Sequence, residues 1–159
     1  MEKKLKAEEL FSVKGKIVLL TGGGGIGEYL AEAYLANGAT VIATNRTKEK
    51  GDKLVAYMNE QGYDKIESYP LDQTDSAQIE ELVDKILTKY GRIDVLLNAV
   101  GYSYDCKPED FPEEEIRKMI EINYVSAALL NKIVAKKAMI PAGGGKIINI
   151  GSIAGIMCH

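Results

Sequence analysis

The chain has 159 residues, 46% of them hydrophobic and 27% charged, which is the balance of one globular domain with enough apolar material for a core. A formal net charge of −3 and a pI near 5.3 speak against a nucleic-acid partner, which favours a basic face. The first ten residues read MEKKLKAEEL with no apolar run behind them, and the apolar stretch 124–134 is interrupted by Asn131 and Lys132. Neither a secretory leader nor a membrane span is expected, so the location read from the sequence is cytoplasmic. Cys106 and Cys158 are isolated, without metal-ligand spacing, and read as reduced thiols; His159 is the one histidine, so no metal cluster is expected.

Residues 1–9 read as a loose arm or a short helix. Residues 15–27 read GKIVLLTGGGGIG: a short strand over 17–20 runs straight into a glycine cluster. A helix follows over 28–36, with Ile26, Leu30 and Ala33 expected along its buried stripe and Asn37-Gly38 ending it. Gly22, Gly24 and Gly27 form G-x-G-x-x-G in the strand–turn–helix context of a dinucleotide phosphate site. Glycines turn tightly there, and their missing Cβ atoms let a pyrophosphate reach the amides at the helix start. An ordinary surface turn is the plainer alternative; the buried strand and the helical stripe weigh against it.

A second strand is predicted over 40–44 and a helix over 48–61, with Leu54, Val55 and Met58 on one side and Gly62 after it. A third strand covers 66–71. The helix over 78–90 has the clearest 3.6-residue period, in Ile79, Leu82, Val83, Ile86, Leu87 and Tyr90, and Gly91 closes it. Asp75 with Gln78 predicts a capping box. A fourth strand covers 95–97. After Pro112, the acidic run Glu113, Glu114 and Glu115 suits a helix N-terminus and opens a helix to about Met139, with a break predicted near Asn123. A glycine-rich loop, 141–145, precedes a fifth strand over 146–150. Strands alternating with helices in this way predict βαβ units, hence an α/β, Rossmann-type doubly wound parallel sheet forming a single domain over 1–159.

Asn45, at the end of the second strand, lies 23 positions after Gly22, close to where an NAD site places an acidic residue on the ribose, about 20 residues on. No acid stands there, and Arg46 is adjacent. A guanidinium suits a ribose 2′-phosphate, so NADP is expected rather than NAD; the plainer reading is a solvated arginine.

These motifs, in this order, resemble the short-chain dehydrogenase/reductase family from residue 15 to the end of the chain. The resemblance implies that Thr21, Gly22, Gly24, Gly25, Ile26 and Gly27 form the cofactor loop. Leu71-Asp72 is similar to the family's adenine-contacting aspartate. Asn98-Ala99-Val100-Gly101 looks like its Asn-Asn-Ala-Gly stretch, Ile122-Asn123 like its catalytic asparagine, and the run ending GSIAG, with Ser152, like its catalytic serine motif. By that resemblance, Asn98, Ala99 and Gly101 flank the cofactor, Asn123 serves a proton relay through a water or a backbone carbonyl, and Ser152 stabilises an oxyanion. Each has a plainer reading: a capping aspartate, a strand-ending turn, a satisfied buried amide, a strand-ending serine. The implied activity is reversible hydride transfer between NAD(P)H and a small carbonyl or alcohol substrate. The long helix implies a homo-oligomer of the full-length parent.

Two departures stand out. The glycine loop is one residue shorter than the family's. No Tyr-x-x-x-Lys occurs at any of the nine tyrosines; in the family that pair supplies the proton, a contribution typically worth ~10²–10⁴-fold. A domain incomplete at its C-terminus, truncated after the fifth strand and inactive alone, is therefore expected, with its edge strand unpaired and prone to association. The alternative is a non-catalytic nucleotide-binding module or pseudoenzyme. The loop 102–108 predicts an aromatic and polar wall.

Overall fold

The computed structural model describes residues 10–155; the expectations for residues 1–9, Cys158 and His159 fall outside the described residues. Five parallel strands, β1 (Ile17–Thr21), β2 (Thr40–Asn45), β3 (Ile66–Pro70), β4 (Val95–Asn98) and β5 (Lys146–Asn149), form one sheet in the order β3-β2-β1-β4-β5. The helices α1 (Ile26–Ala36), α2 (Lys48–Glu60) and α3 (Ser76–Tyr90) connect the first four strands. A long helical segment precedes β5: α4 (Glu113–Ile120), a π turn (Glu121–Val125), α5 (Ser126–Val134) and a second π turn (Ala135–Met139).

Alternation along the strands sorts the core into two layers. Leu19 pairs in register with Ile42 on one side and Leu96 on the other. All three face Ile79, Leu82, Val83 and Ile86 of α3 and Leu130, Ile133 and Val134 of α5. One residue along, Val18, Leu20, Val41, Ala43 and Leu97 face the opposite way, onto Ala31 and Leu35 of α1 and Leu54 and Met58 of α2. The sheet is thus covered on both sides by crossover helices, as a parallel sheet requires.

Three local expectations need correction. The buried stripe of α1 is Gly27, Ala31 and Leu35; of the expected residues Leu30 packs against this core, whereas Ile26 is 62% exposed and Ala33 is exposed. Gly27 leads the stripe because α1 starts hard against the loop before it, where a Cβ would meet Gly22 O. The capping box is only half formed. Asp75 accepts from the Ala77 and Gln78 amides, whereas Gln78 Oε1 accepts from the Asp72 amide at 3.1 Å instead of from the cap residue. The long helix does not break at Asn123 but widens there into a π turn, whose closing bond runs from the Ser126 N–H to Glu121 O.

β3 and β5 are the sheet edges. On β5, Ile147 and Ile148 are 37% and 41% exposed. At the other edge Glu67 ties β3 to α3, accepting from the hydroxyls of Tyr69 and Tyr90 and from Lys89. Burial, followed by the hydrogen bond to Glu67, pushes the Tyr90 hydroxyl up to about 12.

Candidate functional site

The sheet order places the switch point between β1 and β4, whose connections leave in opposite directions, and ligands of such sheets bind at the carboxyl ends there. The glycine loop leaves β1 at that point. Gly22 has φ 80°, and a Cβ on it would lie 2.9 Å from the backbone of Ala99 and Val100 after β4. A Cβ on Gly27 would lie 1.8 Å from Gly22 O, and one on Gly23 2.8 Å from Asn45 Nδ2. Gly25, at φ 54°, caps α1 with no side chain. Gly24 has open space around it. The loop is therefore a backbone cradle at a helix N-terminus, closed on three sides by contacts only glycine allows.

This cradle opens on a cleft of about 280 Å³ whose wall includes Gly22, Gly24, Asn45, Arg46, Leu71, Asp72 and Gly101. Seven of the predicted residues thus meet around one space. Thr21, Gly27 and Ala99 support it from behind: Thr21 is fully buried, and Ala99 N–H donates to Thr21 O at 3.0 Å. Ile26 is turned outward. The cleft also takes in Tyr102, from the loop expected to give an aromatic and polar wall, and Ile122, beside Asn123; Lys50, Gln73 and Thr74 were not anticipated. Lys50 was legible in principle, since it stands in the first turn of α2, four positions after Arg46.

The Asp72 carboxylate is already engaged. Its Oδ1 accepts from the Thr74 N–H and hydroxyl at 3.0 and 2.7 Å, and its Oδ2 lies 3.8 Å from Arg46. Those bonds to Thr74, with the Arg46 charge behind them, hold its carboxyl below the usual aspartate value. Asn45 Nδ2 is buried with no hydrogen-bond partner among the described residues.

Asn98 and Asn123 line a second, adjoining cavity with Asn131, Asn149 and Ile150. Asn98 is 4% exposed; its Nδ2 donates to Asn131 Oδ1 and to Asn149 Oδ1, both at 2.7 Å, and its Oδ1 faces the Thr21 hydroxyl at 3.5 Å. This asparagine cluster knits β4, β5 and α5, and sequence reading missed two of its three members. Asn123 turns its amide onto the loop after β4: Oδ1 accepts from Tyr102 N–H at 2.7 Å and Nδ2 donates to Tyr102 O at 2.8 Å. Ser152 follows β5; its carbonyl accepts from Gly155 N–H at 3.2 Å, and it is not on the wall of either cavity.

A parallel sheet in this order, with a glycine turn at its switch point, has the Rossmann-type architecture. Residues 16–158 match the family of short-chain dehydrogenases, and the chain belongs to that family. The 3-oxoacyl-acyl-carrier-protein reductase FabG of Thermotoga maritima is 37% identical over 146 residues, 91% of this chain and 58% of that protein. Among solved structures, an NAD+-bound xylitol dehydrogenase superposes with a TM-score of 0.86 at 30% identity, covering 92% of this chain and 56% of that one. ElxO with NADP bound superposes at 0.84 and 35% identity, covering 91% and 58%. The chain thus spans somewhat over half the length of the relatives it matches. No helix among the described residues is long and apolar enough to cross a membrane.

Proposed function

We propose that this chain forms the cofactor-binding portion of an NADP-dependent oxidoreductase acting on a small carbonyl or alcohol substrate. The observation that carries the reading is the glycine cradle from Gly22 to Gly27 opening on the same cleft as Arg46 and Lys50. The residues present fit a phosphorylated dinucleotide. Side chains that would fill the cradle are missing, the buried Asn45 Nδ2 has an unused donor, and two cations stand where an NAD site has an acid. The Arg46–Asp72 pair does not oppose this. Its side chains are 70% and 40% exposed, and such surface pairs are worth only ~0–1 kcal/mol, less than a charge-assisted bond to phosphate.

Bound nicotinamide would supply a hydride donor or acceptor. The loop amides at the start of α1 would take the pyrophosphate, and Arg46 with Lys50 the 2′-phosphate. Leu71 and Asp72 would flank the adenine, and Asn98, Ala99 and Gly101 would close the far wall. Asn123 would hold the loop carrying Tyr102, and Ser152 would donate to the substrate oxygen as negative charge develops there. With no Tyr-x-x-x-Lys in the sequence, the 159-residue chain is expected to bind cofactor without turning over. The FabG relative and the NADP-bound ElxO support the reading; the NAD+-bound xylitol dehydrogenase is the comparison against which cofactor choice must be tested. Ile116, Ile120 and Tyr124, exposed and four residues apart on the long helix, support self-association of a full-length parent, and cytoplasmic action remains part of the same proposal.

Titrating the chain with NADPH and NADH tests the assignment. NADPH is expected to bind more tightly; equal or tighter binding of NADH overturns the NADP assignment, and binding of neither overturns the cofactor site.

A further inference from the structure

Three walls of the main cleft come from three segments: Gln73 from the turn after β3, Tyr102 from the loop after β4, and Ile122 from the long helix. One run of side-chain hydrogen bonds joins them. Gln73 is 6% exposed, and its Nε2 donates to Ser126 Oγ at 2.8 Å. The Ser126 hydroxyl donates in turn to Ile122 O at 2.7 Å, while the Ser126 N–H closes the π turn on Glu121 O. That turn presents Asn123, the next residue after Ile122, whose amide grips both backbone groups of Tyr102.

We propose that Gln73 is a positioning residue for Asn123: through Ser126 it fixes the π turn, and the turn fixes the Asn123–Tyr102 clamp. The bond to Ser126 is what orients the Gln73 amide, because its Oε1 has no partner among the described residues. A buried amide held by one bond is a costly way merely to fill space; leucine would do that without an unsatisfied acceptor. π turns inside helices commonly mark functional positions. The consequence for binding rests on the cofactor reading above; the link itself does not.

Amide hydrogen exchange of the 159-residue chain without cofactor, followed by NMR, tests the link directly. In Gln73→Leu and in Ser126→Ala, exchange at Tyr102 is expected to rise about tenfold, the size of effect set by losing one buried hydrogen bond. Leu19 and Leu20 in β1 should keep their protection. Wild-type exchange at Tyr102 in both variants overturns the proposal, and so does a parallel rise at Tyr102, Leu19 and Leu20, which would mark general loosening. NADPH titration of the same variants adds a separate readout, with affinity in Gln73→Leu expected to fall several-fold. Failure of the unaltered chain to bind NADPH counts against the cofactor reading and leaves the exchange result to decide the link.

Discussion

The carbonyl oxygen of Gly22 lies where a side chain on Gly27 would have to go, 1.8 Å from the position of its Cβ. The start of α1 is therefore packed directly onto the end of β1, and the turn between them has no slack. Gly27→Ala is expected to force the backbone apart, costing roughly 1–3 kcal/mol by the measure of other overpacked sites, with loss of NADPH binding. Gly24→Ala meets open space and should leave stability nearly unchanged. Urea denaturation of both variants beside the unaltered chain is the check; equal stability of the two would show that the cradle is not closed as described.

Arg46 and Lys50 border the cleft from β2's end and from the first turn of α2. Replacing Arg46 with Ala should weaken NADPH by about tenfold or more, the scale of one charge-assisted hydrogen bond, and leave NADH nearly unaffected. Lys50→Ala should act in the same direction, more weakly. Dissociation constants for both nucleotides, at low and high salt, measure the effect, and the NADPH advantage should shrink as salt screens it.

At the β3 edge, the raised Tyr90 hydroxyl makes stability depend on alkaline pH. A group whose pKa is higher folded than unfolded contributes stability that is intact below its unfolded value, about 10, and lost as pH climbs through the folded value of about 12. Urea midpoints are therefore expected to fall across that window. Tyr90→Phe should flatten much of the fall while lowering stability at neutral pH, because Glu67 loses a donor.

Ile147 and Ile148 on β5, with Ile150 just after it, are exposed at an edge that no strand among the described residues pairs with. Such an edge promotes strand-to-strand association, and a lysine on it opposes that. Ile148→Lys is expected to reduce concentration-dependent association of the 159-residue chain in light scattering. Unchanged scattering would move the association surface elsewhere, with the exposed face of Ile116, Ile120 and Tyr124 next to be tested.

Much of this molecule was legible in the sequence, because central strands of a doubly covered parallel sheet leave continuous apolar runs such as 17–20, and β1, β2, β4 and β5 each end on or just before a glycine or asparagine. The cradle was legible for a similar reason: its geometry needs glycine, and few other requirements put four in a row. What escaped is what the chain assembles at long range. The Asn98–Asn131–Asn149 cluster joins residues 33 and 51 positions apart, and nothing near any of them announces it. On α1 the expected stripe holds at Leu30, which packs against the core, while Ile26 and Ala33 turn outward; the close approach of Gly27 to Gly22 O sets how the helix starts. At Asn123 the place of the irregularity was legible but not its kind, a π turn where a break was expected.

That widened turn bears on how length changes can enter this chain. A π turn holds one residue more than the α-helical turn it replaces. Losing a single residue between Glu121 and Val125 would restore ordinary α geometry and leave Leu130, Ile133 and Val134 still facing the sheet, while Asn123 would no longer reach the loop after β4. An indel, normally confined to surface loops, is thus structurally affordable inside this helix, and its effect would fall on the site and spare the core.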